Sequence, residues 1–337
     1  MEARPGGTRV VFEWFTSIVL ANNALGDPVT RALPVILPPD YDAAGDRRYP
    51  VLYYLIGFTG RGTMMLNEER WEPTLLQRLD RLYSAGMPHV IVVLPDCLTR
   101  LGGSEYLNSP ATGRYEDYMT QELIPYIDGH YQTIAAPQGR GLFGKSSGGN
   151  GSLQLAMHHP NLFSAVACHS GGMGFDCVYL PDFPKTAAPL AKAGGVEAWL
   201  RAFEAKMYKD NPDIGILNML AMAACYSPDA NAPLGLALPF DLETCTLDEA
   251  IWAKWRAWDP VEMVECYADS LRQLHLLYFD WGARDEFFLY YGARRFQRQL
   301  QAFQIPHECE EFDGGHFNID HRYDVSIPKL VAALTQG

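Results

Sequence analysis

The chain alternates short apolar runs with longer segments in which apolar residues recur every three or four positions. Almost wholly apolar runs of this kind are typical of strands buried on both faces of a parallel sheet, and they lie at 51–56, 90–94, 165–168 and 274–279. Helical spacing is found at 71–83, 115–127 and 287–303. Two strand-like segments, 10–20 and 31–37, precede them and predict an antiparallel start. The pattern predicts a mostly parallel sheet covered by helices on both faces.

One long segment breaks this alternation. A parallel crossover needs only a dozen or more residues, whereas the chain between 171 and 263 is far longer. It contains predicted helices at 196–208, 212–224 and 246–258. We interpret residues 172–262 as a cap inserted into a single domain that spans residues 1–337. Trp252, Trp255 and Trp258 share one side of the last helix. They either seat the cap on the core or line the substrate pocket, and Trp252 and Trp255 are candidate substrate-binding residues.

The sequence Gly144-Lys145-Ser146-Ser147-Gly148 has the pattern GxSxG between an apolar strand, 141–143, and a helical segment, 153–159. A strand-to-helix turn this sharp holds its serine in a strained backbone conformation and requires glycine on both flanks. Ser146 would then stand at a helix N-terminus, with the Ser147 amide directed toward a developing oxyanion. Without this context the pattern also describes a flexible Gly/Ser loop.

A nucleophilic serine needs a base and an acid, in the order Ser, Asp or Glu, His for this type of fold. His316 lies in the glycine-rich turn 313–317 after an edge-strand segment, and it is the best placed of nine histidines. Three carboxylates follow the strand 274–279: Asp280, Asp285 and Glu286. We favour Asp285 because it lies beyond the glycine turn, where the loop reaches toward a histidine, and Asp280 is the second choice.

Two other groups of histidines have more ordinary interpretations. His158 and His159 end the helix after Ser146, where positive charge suits the helix dipole, and no third ligand at metal spacing accompanies them. We therefore predict no metal site. His169 follows the strand 165–168 and either lines the floor of the site or forms a structural hydrogen bond.

Taken together, these motifs resemble the esterase D family of α/β-hydrolases. This family includes S-formylglutathione hydrolase, feruloyl and acetylxylan esterases, enterochelin esterases and mycolyltransferases. The matching segments cover most of the chain outside 172–262, and they are 25–28, 37–41, 48–53, 57–60, 102–109, 122–125, 144–149, 159–163 and 315–317.

The resemblance implies an α/β-hydrolase fold with Ser146 as nucleophile, Asp285 as acid and His316 as base. It also implies an oxyanion hole formed by the backbone amides of Phe58 and Ser147. Tyr106, within the segment 102–109, either lines the site or packs a loop. The chain has Ile56-Gly57 where the family usually has His-Gly or Ser-Gly, and Gly57-Phe58-Thr59-Gly60 lacks the cysteine of S-formylglutathione hydrolases. The S-formylglutathione activity is therefore a secondary expectation.

Composition agrees with a soluble enzyme. The chain has 337 residues, 48% of them hydrophobic, and a net charge of −13, which disfavours binding to nucleic acid or to anionic membranes. Its most apolar stretch, 216–225, is too short to span a bilayer. Seven scattered cysteines without a CxxC motif predict reduced thiols, and no secretory signal is evident, so we expect a cytoplasmic location.

The sequence therefore predicts a serine carboxylesterase that hydrolyses small esters through an acyl-enzyme, without a cofactor. Two alternatives remain open. One is an acyltransferase or thioesterase that uses the same three residues, and the other is a non-catalytic binding protein on a hydrolase scaffold.

Overall fold

The computed structural model describes residues 7–335, and its centre is one eight-stranded sheet with the order β1-β2-β4-β3-β7-β8-β9-β10. Only β1–β2 and β2–β4 pair antiparallel, and the other neighbours are parallel. The strands of this sheet are β1 (Arg9–Thr16), β2 (Thr30–Leu37), β3 (Val51–Leu55), β4 (Ile91–Val93), β7 (Arg140–Lys145), β8 (Ala165–His169), β9 (Leu276–Gly282) and β10 (Glu308–Phe312). A two-stranded hairpin stands apart and consists of β5 (Asn108–Ser109) and β6 (Gly113–Arg114).

Burial along the strands explains the sequence pattern. Every residue of β3, β4, β8 and β9 is buried, because helices cover both faces of the inner strands. The outer strands β1 and β10 are largely exposed, as expected for sheet edges. The structure confirms the predicted mostly parallel sheet. The first predicted strand is too long, since β1 ends at Thr16, and β9 continues to Gly282, three residues beyond its predicted end.

Thirteen α-helices lie within the described residues, with a π-helical turn, Tyr118–Leu123, joining the second and third. They are α1 (Leu75–Ser84), α2 (Tyr115–Asp117), α3 (Ile124–His130), α4 (Ser147–His158), α5 (Phe175–Val178), α6 (Phe183–Ala193), α7 (Val196–Ala205), α8 (Asn211–Tyr226), α9 (Glu249–Arg256), α10 (Pro260–Met263), α11 (Ala268–Arg272), α12 (Leu289–Ala302) and α13 (Tyr323–Thr335). Helices α1 and α13 cover one face of the sheet, and α3, α4, α11 and α12 cover the other.

Helices α5 to α9 lie between β8 and β9, inside the segment predicted as a cap, and share a hydrophobic cluster of their own. Leu25, Leu101, Leu107 and Ala111 from the loops of the main domain join this cluster. The side chain of Phe58 also packs against it. The insertion is therefore joined by apolar contacts to the loop that follows β3.

Candidate active site

The turn from β7 into α4 holds Ser146 in a conformation that ordinary residues avoid. Its φ and ψ are 57° and −126°, while its amide donates to the His169 carbonyl at 2.9 Å. A side chain at Gly144 or Gly148 would overlap the carbonyl oxygen of Leu55 in the neighbouring strand. Both flanking glycines are thus required by close backbone packing, as in a nucleophile elbow. The strain projects Ser146 from the sheet at the start of a 12-residue helix.

Two backbone amides are free at this turn. The Ser147 amide is the first of α4, and the Phe58 amide follows β3; neither donates a backbone hydrogen bond within residues 7–335. The loop at Phe58 lies close to the serine, because a Cβ placed on Gly57 would be 3.4 Å from the Ser146 Cβ. The two residues predicted to form an oxyanion hole therefore flank Ser146. Free amides at a helix N-terminus are suited to bind an oxyanion.

His316 and Asp285 are joined by a hydrogen bond of 2.8 Å between His316 Nδ1 and Asp285 Oδ2, and both residues are almost completely buried. The two loops that carry them are tied together at their backbones. The Arg284 amide donates to the Gly314 carbonyl at 2.9 Å, and the His316 amide donates to Glu286 Oε2 at 2.6 Å. This arrangement fixes the orientation of the imidazole ring, and it gives Glu286 a role in holding the histidine loop.

Asp280, the second choice for the acid, lies elsewhere. It belongs to β9, where its Oδ1 is 2.7 Å from His169 Nδ1 and its Oδ2 accepts from Arg322 Nε at 2.8 Å. Burial alone would raise the pKa of Asp280, but His169 and Arg322 favour the ionised form and hold that pKa below its usual value. His169 Nε2 is in turn 2.8 Å from Ser326 Oγ. His169 therefore makes the structural hydrogen bonds that were one of its two predicted roles.

His158 and His159 share Glu116 as their partner, at 3.1 Å and 2.8 Å from its Oε1. Although burial acts to raise it, hydrogen bonds from the two histidines lower the pKa of Glu116 to about 2. Within the part of the chain that the structure describes, no cluster of three or more His, Cys, Asp or Glu side chains is suited to hold a metal ion. In the same residues, no helix combines the length and apolar character needed to cross a bilayer.

The candidate substrate residues differ in their surroundings. Tyr106 is buried beside the site, where its hydroxyl donates to the Ile56 carbonyl at 2.7 Å and its ring lines a pocket with Phe58 and Ser147. Trp252 and Trp255 are buried in the hydrophobic cluster of the insertion, and Trp255 Nε1 donates to Ser227 Oγ at 2.8 Å. This burial favours the anchoring role, and substrate binding by the two tryptophans stays a prediction.

Sequence reasoning missed an aromatic rim around His316. The rings of Phe287 and Phe317 stand edge-on to the imidazole, at centroid distances of 4.8 and 5.4 Å, and each is about half exposed. Lys145, next to the serine, places its Nζ 5.5 Å from the Phe317 ring centre. Burial lowers the pKa of Lys145, while nearby carboxylates, Asp320 foremost, oppose this effect. The sequence did contain a signal, since Lys145 and Phe317 adjoin Ser146 and His316, and Phe287 lies two residues after Asp285.

Comparison with known proteins places this geometry in a family context. A family model described as "Putative esterase" matches residues 23–325. Esterase Rv1288 of Mycobacterium tuberculosis is 25% identical over 313 residues, an alignment that covers 89% of this chain and 55% of that protein. The chain therefore spans about half the length of this curated relative.

Solved structures show the same fold at low sequence identity. A ferulic acid esterase superimposes with a TM-score of 0.64 at 20% identity, over 97% of this chain and 99% of the other. S-formylglutathione hydrolase from Agrobacterium tumefaciens gives a TM-score of 0.58 at 18% identity, over 99% and 98% of the two chains. These likenesses confirm the predicted α/β-hydrolase fold.

Proposed function

The chain belongs to this esterase family, and from that membership we propose that it is a carboxylesterase for small esters that acts through a Ser146-His316-Asp285 triad. Hydrolysis of esters by a serine hydrolase is the activity common to the family and its structural neighbours. The observation that carries the proposal is the buried His316–Asp285 hydrogen bond, formed by two loops that are tied together. It matches the dyad that a strained serine elbow requires.

In the proposed first step, Ser146 Oγ attacks the ester carbonyl carbon while His316 Nε2 accepts the hydroxyl proton. The Nδ1–H of His316 donates to Asp285 Oδ2, which keeps the ring in the tautomer that leaves Nε2 free as a base. The negative charge that develops on the carbonyl oxygen is stabilised by the Phe58 and Ser147 amides.

The tetrahedral intermediate then collapses. The bond between the carbonyl carbon and the alcohol oxygen breaks, and His316 returns its proton to the departing alcohol. In the second half, His316 takes a proton from water as the water oxygen attacks the acyl carbon. The bond between that carbon and Ser146 Oγ then breaks, His316 returns the proton to Ser146 Oγ, and the acid leaves. Each step uses only protein groups, substrate and water, so the reaction needs no cofactor.

The surroundings favour uncharged esters with an apolar part. Phe287 and Phe317 form the rim beside His316, the residue that protonates the leaving alcohol, and Phe58 joins the site to the hydrophobic cluster of the insertion. Apolar walls with few polar groups are typical of pockets for small molecules. We propose that the insertion, residues 172–262, restricts the acyl chain as a cap.

A labelling and hydrolysis experiment tests the function. The purified protein is treated with a fluorophosphonate probe, and the modified peptide is identified by mass spectrometry. We expect the label on Ser146 and hydrolysis of p-nitrophenyl esters, fastest for short acyl chains. Feruloyl esters and S-formylglutathione complete the panel, and added alcohol reports acyl transfer. Absence of both labelling and hydrolysis would favour the alternative of a non-catalytic binding protein. Predominant transfer of the acyl group to the added alcohol would show that the enzyme is an acyltransferase.

The tryptophans give a test of the cap. Trp252→Ala and Trp255→Ala each remove a large buried ring, which costs about 3–5 kcal/mol of stability in a protein core. If a tryptophan also shapes the pocket, its variant changes the ratio of kcat/KM between short and long acyl chains by roughly 10-fold or more. The measurement is that ratio together with Tm. An unchanged ratio with a lower Tm would show that the ring only anchors the insertion.

A further inference from the structure

A buried carboxyl group lies beside the proposed oxyanion hole without a charged partner. Glu105 is 3% exposed, and within residues 7–335 it forms no salt bridge with any Lys, Arg or His. Its Oε1 is buried and lacks a hydrogen bond of standard geometry, while its Oε2 is 3.5 Å from the Tyr226 hydroxyl. Buried carboxylates are normally paired, so this exception calls for an explanation.

The backbone at this position is also unusual. Glu105 and Tyr106 have φ angles of 48° and 59°, two consecutive residues in the left-handed region without glycine. Such strain persists only where the surrounding structure enforces it, and it is concentrated at functional sites. Here the strained pair turns the Glu105 carboxyl inward, into the pocket that Phe58 and Ser147 also line.

The groups that face Glu105 are all uncharged at neutral pH. They come from four parts of the fold and are Ser147 of α4, Tyr106 of the same loop, Tyr179 after α5, and Cys225 and Tyr226 of α8. Burial raises the pKa of both α8 groups and of both other tyrosines well above their usual values. Glu105 is thus the one member of this set that titrates near neutrality.

Burial also raises the pKa of Glu105, to about 7, although hydrogen bonding with Ser147 and Tyr226 favours its ionised form. Ser147 therefore lines the same pocket as a carboxyl that is neutral over part of the physiological range. The same residue supplies, through its backbone amide, one of the two proposed oxyanion donors. Any negative charge on Glu105 would stand close to the place where the reaction creates another.

We propose that Glu105 is a positioning residue of the oxyanion hole, which holds Ser147 in place as a neutral carboxylic acid and inhibits the reaction when it loses its proton to solvent. This inference rests on the proposed esterase function. Ionisation adds a buried negative charge beside the developing oxyanion, and like charges repel strongly in a site that excludes water. The neutral carboxyl adds no such charge and stays beside Ser147 in the pocket that both residues line.

The direction of the pH effect follows. Glu105 is neutral below its pKa and charged above it, so the active form is lost as pH rises through about 7. We expect kcat/KM, which reports the free enzyme, to fall on the alkaline side by about 10-fold per pH unit.

The experiment compares pH profiles of kcat/KM for a neutral ester in the wild type, Glu105→Gln and Tyr226→Phe. Glutamine keeps the shape and hydrogen bonding but cannot ionise, so Glu105→Gln should lose the alkaline limb and exceed the wild type by about 10-fold or more at pH 9. Tyr226→Phe removes a group that favours the ionised carboxyl, so its alkaline limb should move to higher pH. Identical alkaline limbs in the wild type and Glu105→Gln would overturn the proposal.

If Glu105→Gln lowered kcat/KM by the same factor at every pH and also lowered the Tm, the proposal would be overturned and Glu105 would have a packing role. Infrared difference spectra provide a readout that does not depend on activity. A protonated carboxylic acid band should lose intensity between pH 6 and pH 9 in the wild type, and this loss should be missing from Glu105→Gln. A further outcome is that the band titrates as expected while no ester is hydrolysed and no fluorophosphonate is bound. In that case the proposed esterase function is wrong, and only the conclusion that Glu105 is a neutral acid at pH 6 is retained.

Discussion

The molecule contains two buried His–Asp pairs, each with a serine assigned to it, and the two sets differ in how that serine is placed. In the first, Asp285 holds Nδ1 of His316, and Ser146 stands on the strained elbow. In the second, which we call the buried set, Asp280 and Ser326 hold the two nitrogens of His169 at 2.7 and 2.8 Å.

Ser326 lies in the first turn of α13, and all three residues of the buried set are enclosed. Arg322 also neutralises Asp280 there. The comparison teaches that a hydrogen-bonded Ser-His-Asp arrangement does not by itself identify a catalytic site. Ser146 differs from Ser326 in its strained turn, in the free backbone amides beside it and in the pocket next to it, and these are the features expected of a catalytic serine.

The largest expected effect separates the two serines. Ser146→Ala should reduce kcat by about 10⁶ because it removes the nucleophile, with Tm nearly unchanged. Ser326→Ala, the matched control, should retain activity and lose about 1–2 kcal/mol of stability through one buried hydrogen bond. Steady-state kinetics and thermal unfolding of both variants provide the measurement. An active Ser146→Ala would disprove the elbow assignment, and an inactive but stable Ser326→Ala would show that the buried set takes part.

The next effect separates the two acids. Asp285→Asn should lower kcat by roughly 10⁴, because asparagine stabilises the wrong tautomer of His316. Asp280→Asn should leave kcat within about 10-fold and instead cost roughly 3–5 kcal/mol of stability, because Arg322 loses a buried partner. The test is kcat measured well below the Tm of each variant. The opposite ranking of kcat in two folded variants would transfer the catalytic role to Asp280.

A smaller effect concerns the acid stability of the buried set. The folded pKa of Asp280 is lowered, so its ionisation stabilises the protein above the unfolded value of about 3.9, and this contribution is lost as pH falls below that value. The Tm difference between wild type and Asp280→Asn should therefore be constant from pH 7 to 5 and shrink below about pH 4. A difference that does not change down to pH 3 would show that Asp280 stabilises by packing alone.

This comparison also shows what the sequence could predict. The sheet, the elbow and the glycine turn at His316 rest on local patterns, and each appears in the structure. The choice between Asp280 and Asp285 was harder, since both follow the same apolar run. Their separation depends on β9 continuing to Gly282, which encloses Asp280 within the sheet and leaves Asp285 in the loop. No periodicity in the sequence marks that end.

Other features depended on contacts between distant segments. Helix α6 carries Pro184 at its start and Pro189 inside, and a proline-containing segment is not predicted as a helix from propensity. Glu105 reads as an ordinary polar loop residue, and its burial depends on distant segments, α8 among them, that pack against its loop. The aromatic rim forms because the loops that carry Phe287 and Phe317 meet at His316, although these two residues are about thirty positions apart in the sequence.

The position of the insertion has a consequence for folding. Strands β8 and β9 are neighbours in the sheet, yet residues 170–275 lie between them in the chain. Closing so long a loop before the strands pair is entropically costly and slows folding. Helices α5 to α9 share a hydrophobic cluster, and their collapse would shorten the flexible segment that has to be closed. In this order of events, folding of the insertion would precede the pairing of β8 with β9 and therefore the completion of the sheet.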